Sequence, residues 1–507
     1  MKARWQLAWV WVGLVGGQAL GGQEDWTHLG RDASRQSIAV DGPARLLLDP
    51  NQGCWKSDPG MQFESASGAV LYRGTVYAYA RHTDPNGQDK SQVVAFDAQS
   101  GHPAWKGTGG IVDLAVDGSW STPCVDIRHN TVLVGSGTKV FAFDANDGSS
   151  AWSSPTELDG PVVNASICTA LDLPHARAFI TDCDAFGSSG RLYCINLDAN
   201  EPNNPYEPGH KMWDYELGPT LGNSPTYVGG RVYVASGGTI YAFDANAVSP
   251  PNKPSWSVPD ANWTAANPKN SIGGQFWGGV TMTQEGFLYA ATYDTTEDPN
   301  TNKSTLVKLD RKDGRIVWTK AIERTDTIPV VVGDMIFVSG GLLGYGSQPK
   351  IQAFRDLGDR VDSLWPAVVG VGGWTSQPVY AKGRLYVGGD EIPWGETGAG
   401  SYRRLYVLDA TTGIELDHVE GCGNSPIVTC DSVYSVGPDA LMKFHQPRAL
   451  ADINGDGTVD GADRKCLVDA MGKGYPLGTV RADLDLDGDV DEADLEILEA
   501  EMTGAQP

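Results

Sequence analysis

Along most of the chain, short runs of β-branched and aromatic residues alternate with small or polar ones and stop at Gly, Asp or Asn. A period of two with turn residues at the ends predicts strands rather than helices. The runs recur. A first phrase appears at Val76–Tyr79, Val132–Gly135, Ala178–Thr181, Val232–Ala235, Phe287–Ala290, Ile336–Ser339, Leu385–Gly388 and Val433–Val436. A second follows each one, ending at Asp97, Asp144, Asn196, Asp244, Asp310, Arg355, Asp409 and His445. Eight such pairs mark an internal repeat of about 50 residues, the size of a propeller blade with its loops.

Many units share an ending. Asp97, Gly101 and Trp105 are spaced by four and four, as are Asp144, Gly148 and Trp152, and Asp310, Gly314 and Trp318. The Asp carboxylate can accept hydrogen bonds from turn amides, and Gly supplies the positive φ that closes the turn. Trp then opens the next strand and can bury its indole between neighbouring sheets. Trp213, Trp256 and Trp365 end their units after longer loops, and the seventh unit has Asp417 instead. The eighth unit is truncated near His445. The segment Asp25–Val40, with Trp26, precedes the first full unit and is expected to supply the missing strand and close the ring. The fold class predicted is all-β: an eight-bladed β-propeller of four-stranded blades, with a small α-helical calcium module at the C-terminus. The boundaries are 1–22 for a signal peptide, 23–447 for the propeller and 448–507 for the module. The A-F-D-A-x-x-G-x-x-x-W phrase resembles the tryptophan-docking repeat of quinoprotein-type, BamB-like propellers. That superfamily holds PQQ-dependent dehydrogenases and non-catalytic relatives, so the resemblance implies a fold, and function must come from sites.

The C-terminus carries a second motif. Asp452, Asn454, Asp456, Gly457, Thr458, Asp460 and Asp463 fit D-x-[DN]-x-[DN]-G with a carboxylate at position 12. Asp483, Asp485, Asp487, Gly488, Asp489, Asp491 and Asp494 repeat it 31 residues later. Calcium takes six to eight oxygens, and alternate loop positions aim oxygens inward. Thr458 and Asp489 would offer backbone carbonyls, Asp463 and Asp494 would close each shell, and Val459 and Val490 would join the loops. Two calcium ions are therefore expected. Helices are expected over Asp463–Met471 and Asp494–Met502, with no helix entering either loop. Paired loop-then-helix units of this kind resemble a dockerin, which implies a cohesin-like protein partner. Cohesin-binding dockerins place Ser/Thr-like residues at loop positions 10 and 11, where this chain has Gly461-Ala462 and Glu492-Ala493. With few aromatics and some ten carboxylates, the module is expected to fold only with metal.

Charge sharpens this. The 507 residues carry a formal net charge of −25, which speaks against nucleic acid as a partner. From Ala451 onward there are 11 Asp and 4 Glu against 4 Lys plus Arg, a cluster that asks for a cation. Lys2, Arg4, the apolar run Trp5–Val15 and the small residues Gly17 to Ala19 read as a cleavable export signal, too short for the roughly 20 residues of a span. The location expected is secreted or periplasmic, with no transmembrane span after cleavage. Among eight Cys, Cys183 with Cys194 and Cys422 with Cys430 sit at hairpin spacings that a disulfide could bridge; the alternative is buried reduced thiols.

Catalytic signatures are scarce. There is no H-E-x-x-H, G-x-S-x-G or P-loop, no adjacent Cys pair, and the eight His (28, 82, 102, 129, 175, 210, 418, 445) read as surface or turn residues. Two Gly-aromatic loops, Gly273–Gly279 and Glu391–Thr397, are expected to be inter-blade packing, with ligand-facing loops the alternative. The Asp294–Asp298 loop is expected to be a solvated turn. The function expected is an exported, non-catalytic binding or scaffold protein, its propeller meeting a protein or glycan and its tail docking another module. The main alternative is a PQQ-dependent oxidoreductase of alcohols or sugars, and a third is a carbohydrate-active protein delivered to polysaccharide.

Overall fold

The computed structural model describes residues 25–48, 53–57, 61–63, 66–83, 87–116, 118–183, 189–220, 222–249, 254–258, 272–295, 302–396, 398–446, 451–454, 458–471, 482–485 and 489–503. The proposed signal peptide lies outside them. Among them, no helix is long and apolar enough to cross a membrane.

The repeat folds as eight antiparallel blades. The third is typical, with Cys168–Ala170 innermost, then Arg177–Thr181, Arg191–Asn196 and Lys211–Glu216. The first phrase of each unit forms the second strand and the second phrase the third. In the second blade both lie in one run, Thr131–Asp144, which turns at Gly137 (φ 55°). Loops entering each innermost strand lie on one face with those joining second to third strands; this is called the upper face below.

The repeated ending works by docking each blade's Trp into the next blade. Trp105 of the first blade is fully buried and donates from Nε1 to the Ala145 carbonyl of the second, at 3.0 Å. Trp213 reaches Ala247 at 2.8 Å and Trp365 reaches Ala410 at 3.1 Å in the same way. Asp144 and Asp409 cap the receiving turns, accepting from the amides of Asn146 at 2.8 Å and Thr412 at 2.7 Å. The turn glycine is where the incoming indole lands. A Cβ on Gly413 (φ +74°) would stand 2.8 Å from Trp365 Cδ2. Gly413→Ala is therefore expected to cost about 2–3 kcal/mol in urea unfolding, from overpacking plus a left-handed alanine. A loss below about 0.5 kcal/mol, the scale of an ordinary surface change, would sink this account of the repeat.

Ring closure does come from both ends of the chain, but through another segment than Asp25–Val40. Trp55–Lys56 forms the outer strand of the eighth blade, paired antiparallel with Lys443 and Met442. Trp55 fills the docking slot of the first blade, donating to Ala98 O at 3.1 Å, with its ring under Gly101. The eighth unit lacks its own Trp, and Trp55 is the residue that replaces it. Asp417, at the seventh unit's Trp position, is buried and accepts from Leu46 N at 2.7 Å.

Residues 26–39 instead cross the bore of the ring. Trp26 bridges Leu71 of the first blade, Thr27 O accepts from Val125 N of the second, and His28 meets Thr169 of the third. Ala33 O accepts from Tyr227 N of the fourth, Gln36 reaches Met282 O of the fifth, and Ile38–Ala39 pairs in parallel with the seventh. Arg35 is fully buried at the centre of this plug. His28 is also buried rather than superficial, and burial, with Arg35 nearby, pushes its pKa down to about 3.

Two further expectations change. All eight cysteines are free, so neither Cys183–Cys194 nor Cys422–Cys430 is a disulfide; Cys183, Cys194 and Cys422 are buried thiols and Cys430 is exposed. Asp294 is buried and accepts from Lys303 N at 2.7 Å, so the start of its loop is a capped turn, while residues 296–301 lie outside the described ones.

Candidate functional site

Above the plug, the bore widens into a pocket with Leu29 at its floor. All eight blades contribute to its wall. The contributing position lies just before the innermost strand in most blades and within it in the fifth and eighth, and in five blades Pro follows it, at 123, 225, 329, 378 and 426. Proline has no N–H to leave unpaired where a strand begins.

The side chains here form a collar. Gly68 N donates to Thr122 Oγ1 (3.1 Å), Thr122 N to Ser166 Oγ (2.9 Å) and Ser166 N to Ser224 Oγ (3.0 Å). On the far side, Ile328 N donates to Gln377 Oε1 (2.8 Å) and Gln377 N to Ser425 Oγ (3.4 Å). Five blades thus hand a backbone donor to the next blade's side chain. Gly68 of the first blade offers no side chain to the eighth, and the relay breaks again at the fifth blade, where Gly279 has no side chain to accept.

Beside that break the pocket is most polar. Asn164 Nδ2 of the third blade donates to Asp326 Oδ2 on the entry loop of the sixth, at 3.3 Å, linking walls three blades apart. Asp326 N donates to Trp374 O at 2.8 Å. The Oδ1 atoms of Asn164 and Asp326 are both shielded from solvent with no hydrogen-bond partner among the described residues. Burial raises the Asp326 carboxyl well above its ordinary range. Arg324, fully buried, stands between the rings of Tyr293 and Tyr345, 5.5 Å from each centroid, and does not line the pocket.

Aromatic rings crowd the mouth. Trp120, Trp374 and Trp394 pack edge to face with one another at centroid distances of 5.7, 6.0 and 6.5 Å, and Trp277 stacks on Tyr293 at 3.9 Å. Trp394 is 47% exposed. Both Gly-aromatic loops are therefore at the site: Trp277, Gly278 and Gly279 line the pocket, and Trp394 rims it. Inter-blade packing does describe Phe276, which is buried against Tyr233 and Ala235 of the fourth blade, whereas Trp277 lines the pocket and Trp394 stands at its mouth. Thr397 lies outside the described residues.

Glu391 ties the rim together. It is buried, and its Oε2 accepts from Leu343 N at 2.8 Å, while Leu343 O accepts from Trp394 N at 2.8 Å. Burial pushes its pKa up to about 8, against the opposing effect of the Leu343 amide and Trp374. A carboxyl whose pKa is raised on folding binds an extra proton in the folded state between its ordinary pKa and about 8. Stability from this group is therefore greatest in acid and falls as pH rises to about 8. Glu391→Gln is expected to stabilise the protein at pH 9 by a few kcal/mol, on the order of 2–4, and to change little at pH 4.5. Equal denaturation midpoints for the two proteins at pH 9 would refute a neutral Glu391.

The C-terminal loops form a second candidate site. Helices run over Gly461–Ala470 and Glu492–Thr503, as expected but each beginning two residues earlier, because Asp460 and Asp491 cap them. Asp460 Oδ1 accepts from Ala462 N, and Asp491 Oδ1 from Ala493 N, both at 2.7 Å. The last carboxylate of each loop draws it shut. Asp463 accepts from Asn454 N (3.0 Å) and Asp460 N (2.9 Å); Asp494 accepts from Leu484 N, Asp485 N and Asp491 N. Asp452, Asp463, Asp483 and Asp494 are all buried. Carboxylate oxygens of Asp483, Asp485 and Asp494 lie within 4.8 Å of one another, as do those of Asp489, Asp491 and Asp494. Thr458 is described; Asp456 and Asp487 lie outside the described residues. Val459 and Val490 pack against the small core around Leu467 and Leu498. Arg45, buried beside the seventh blade, donates to Leu416 O and to the Asp483 carbonyl, so the second loop rests on the propeller.

The collar and the Asn164–Asp326 link escaped the sequence reading. The residue-plus-proline recurring in five blades was the available signal for the first; nothing local announces the second.

A family model described as outer membrane protein assembly factor BamB matches residues 13–206 and 246–361, more than half of the chain. BamB from Moraxella catarrhalis is 13% identical, with a TM-score of 0.51 over 76% of this chain and 97% of that one. Quinohemoprotein alcohol dehydrogenase from Comamonas testosteroni is 12% identical, with a TM-score of 0.38 over 96% of this chain and 97% of that one. Sqt1 from Saccharomyces cerevisiae is 10% identical, with a TM-score of 0.49 over 81% and 100%. The Moraxella likeness shows the fold alone, and the other two are too distant to carry an argument. No curated protein matches the chain. On the family match, supported by eight docked blades, the chain belongs to the BamB family of β-propeller proteins.

Proposed function

We propose that this is an exported, non-catalytic binding protein. Its propeller meets a protein or glycan partner through the upper face, and its C-terminal module docks it to another module through two calcium-loaded loops. The carrying observation is the tryptophan-rimmed mouth on one face of a ring whose other end is plugged. Exposed Trp394 against Trp120 and Trp374 offers the rigid aromatic anchor that recognition surfaces concentrate at their centres. The family match agrees with an extracytoplasmic propeller that works through contacts rather than chemistry.

Calcium fits the module on its donor set. Buried carboxylates with oxygens within 4.8 Å of one another repel unless a hard cation lies between them. Asp452, Asn454, Asp460 and Asp463 would hold one ion, and Asp483, Asp485, Asp489, Asp491 and Asp494 the other, with Asp456 and Asp487 completing the sets. A cohesin-like partner remains the module's expected docking mate, on surfaces around Gly461-Ala462 and Glu492-Ala493.

PQQ fits the axial pocket poorly. It is a planar, anionic tricarboxylate, and among the described residues the lining has no Lys or Arg to pair with it, while Asp326 would face it.

Pull-down from an extracytoplasmic extract, and affinity electrophoresis in soluble xylan and β-glucan, should show retention by the wild-type protein. A Trp120→Ala/Trp394→Ala variant should lose it by about tenfold. Equal retention by both proteins would remove the upper face from recognition. Stoichiometric PQQ binding with dye reduction on alcohols would replace this reading by the oxidoreductase one.

A further inference from the structure

We propose that the axial pocket is a binding site for a small organic cation, an amine whose ammonium group is received by Asp326 and Asn164 in the chamber that Trp120 and Trp277 line. This site lies beneath the upper-face mouth and shares Trp120 with it, but the acceptors that carry it, Asp326 and Asn164, play no part in the partner reading.

The first observation is what the pocket wants. Two oxygen acceptors, Asp326 Oδ1 and Asn164 Oδ1, sit at its wall without a hydrogen-bond partner among the described residues. Buried acceptors left unmade are costly, and a site that keeps two of them, on side chains already joined by the Asn164–Asp326 hydrogen bond, asks for donors from outside. Gln377 cannot turn to help: its Oε1 accepts from Ile328 N, and its Nε2 donates to Ser37 Oγ (3.0 Å) and Ile328 O (2.9 Å).

The second is charge. Among the described residues no Lys, Arg or His lines the pocket, so a carboxyl is enclosed there without a cationic neighbour in the wall. Burial raises its pKa well above the ordinary carboxyl range. An ammonium group would reverse that balance: it brings up to three donors, enough for both Oδ1 atoms, and a positive charge beside which Asp326 ionises. A neutral polyol satisfies the acceptors but leaves the carboxyl uncharged.

The third is the remaining wall. Trp120 and Trp277 present indole surface, which attracts organic cations through the ring quadrupole. The plug beneath Leu29 makes the pocket blind, so a ligand enters only past the tryptophan rim. A chain of net charge −25 also raises the local concentration of cations.

The test is isothermal titration of the whole mature, calcium-loaded protein with ethanolamine and putrescine, against ethylene glycol and 1,4-butanediol as neutral matches. An amine is expected to bind one to one and the diols not. Asp326→Asn should weaken the amine about tenfold or more, and Asp359→Asn, on an exposed outer turn, should leave it within about twofold. Repeating the wild-type titration in buffers of different ionisation enthalpy should show proton release as Asp326 ionises beside the ammonium, a readout that needs no variant. Diol binding as tight as amine binding overturns the proposal in favour of a polyol site. No amine binding up to about 10 mM leaves a water-filled chamber and also overturns it.

Discussion

Replacing Arg35 by alanine will destabilise the propeller by about 5 kcal/mol, and Arg35→Lys will recover no more than about half of that. The guanidinium is the fastening of the plug. Its Nε donates to Pro225 O at 2.6 Å, Nη1 to Leu29 O at 3.0 Å, and Nη2 to Ser166 O at 2.8 Å and Ile167 O at 3.0 Å. Those carbonyls belong to the plug itself and to the third and fourth blades, where water does not reach. Alanine orphans four acceptors at about 1–3 kcal/mol each, softened by whatever water enters the new cavity. Lysine offers a point charge with three donors in place of a planar fork of five, and cannot span two blades in the same geometry. Burial pushes the Arg35 pKa down, with Cys168, Cys124 and Asp32 opposing, yet a guanidinium stays charged in a protein. The backbone shows that tertiary contacts dictate this path: Arg31, Arg35 and Ser37 all hold positive φ, at 83°, 53° and 55°. L-residues adopt that region at a cost of roughly 1–2 kcal/mol each, so the segment is held where it would not settle alone. Urea unfolding followed by tryptophan fluorescence measures the loss. A change below about 1 kcal/mol would mean that the segment is merely draped across the bore.

The contrast between plug and repeat shows what a sequence of this kind can disclose. Blades are legible because each is a local unit: Asp409, Gly413 and the two phrases lie within one stretch, and the eightfold recurrence multiplies a weak signal. The C-terminal loop motif is legible for the same reason, since its acidic positions from Asp483 to Asp494 fall within twelve consecutive residues. Closure was legible in principle but assigned to the wrong segment. The sequence assigns the closing strand to Asp25–Val40, whereas Trp55, in a strand of two residues, closes the ring and occupies the docking slot. Two residues carry no periodicity, and only the absence of a Trp in the eighth unit pointed to it. The axial site is the opposite case. Asn164 and Asp326 are 162 positions apart and meet because the ring brings the third and sixth blades to one axis. Nothing in either neighbourhood encodes that encounter. Glu391 likewise reads as one acidic residue in a Gly-aromatic loop until the fold buries it against Leu343 and Trp374.

Removing calcium is expected to unfold the C-terminal module while leaving the propeller intact. Among the described residues its core is seven buried side chains, including Ile453, Leu467, Leu484 and Leu498, with five partly buried ones packed on them, too few to offset the chain entropy of some 55 residues. Against that small gain stand carboxylates whose oxygens lie within 4.8 Å of each other. Each bound ion, present at about a thousandfold over its dissociation constant, would contribute roughly 4 kcal/mol. Chelation should therefore abolish amide hydrogen-exchange protection across Gly461–Ala470 and Glu492–Thr503, and calcium should restore it. Tryptophan fluorescence should barely move, because every Trp lies before residue 395. Asp494→Ala should remove the second site outright. That carboxylate belongs to both oxygen clusters and also accepts from Leu484, Asp485 and Asp491, so its loss opens the loop as well as the ion shell. Asp469→Asn makes the same change of charge on an exposed helical residue paired only with Lys465, and should leave calcium affinity within about twofold. The second loop has one further support, the Arg45 guanidinium on the Asp483 carbonyl. Arg45→Ala should thus weaken calcium at that loop without touching the first, since the first has no such brace among the described residues. Protection of both helices that persists unchanged in excess chelator would show that the carboxylates are a solvated acidic surface and that no ion holds the module together.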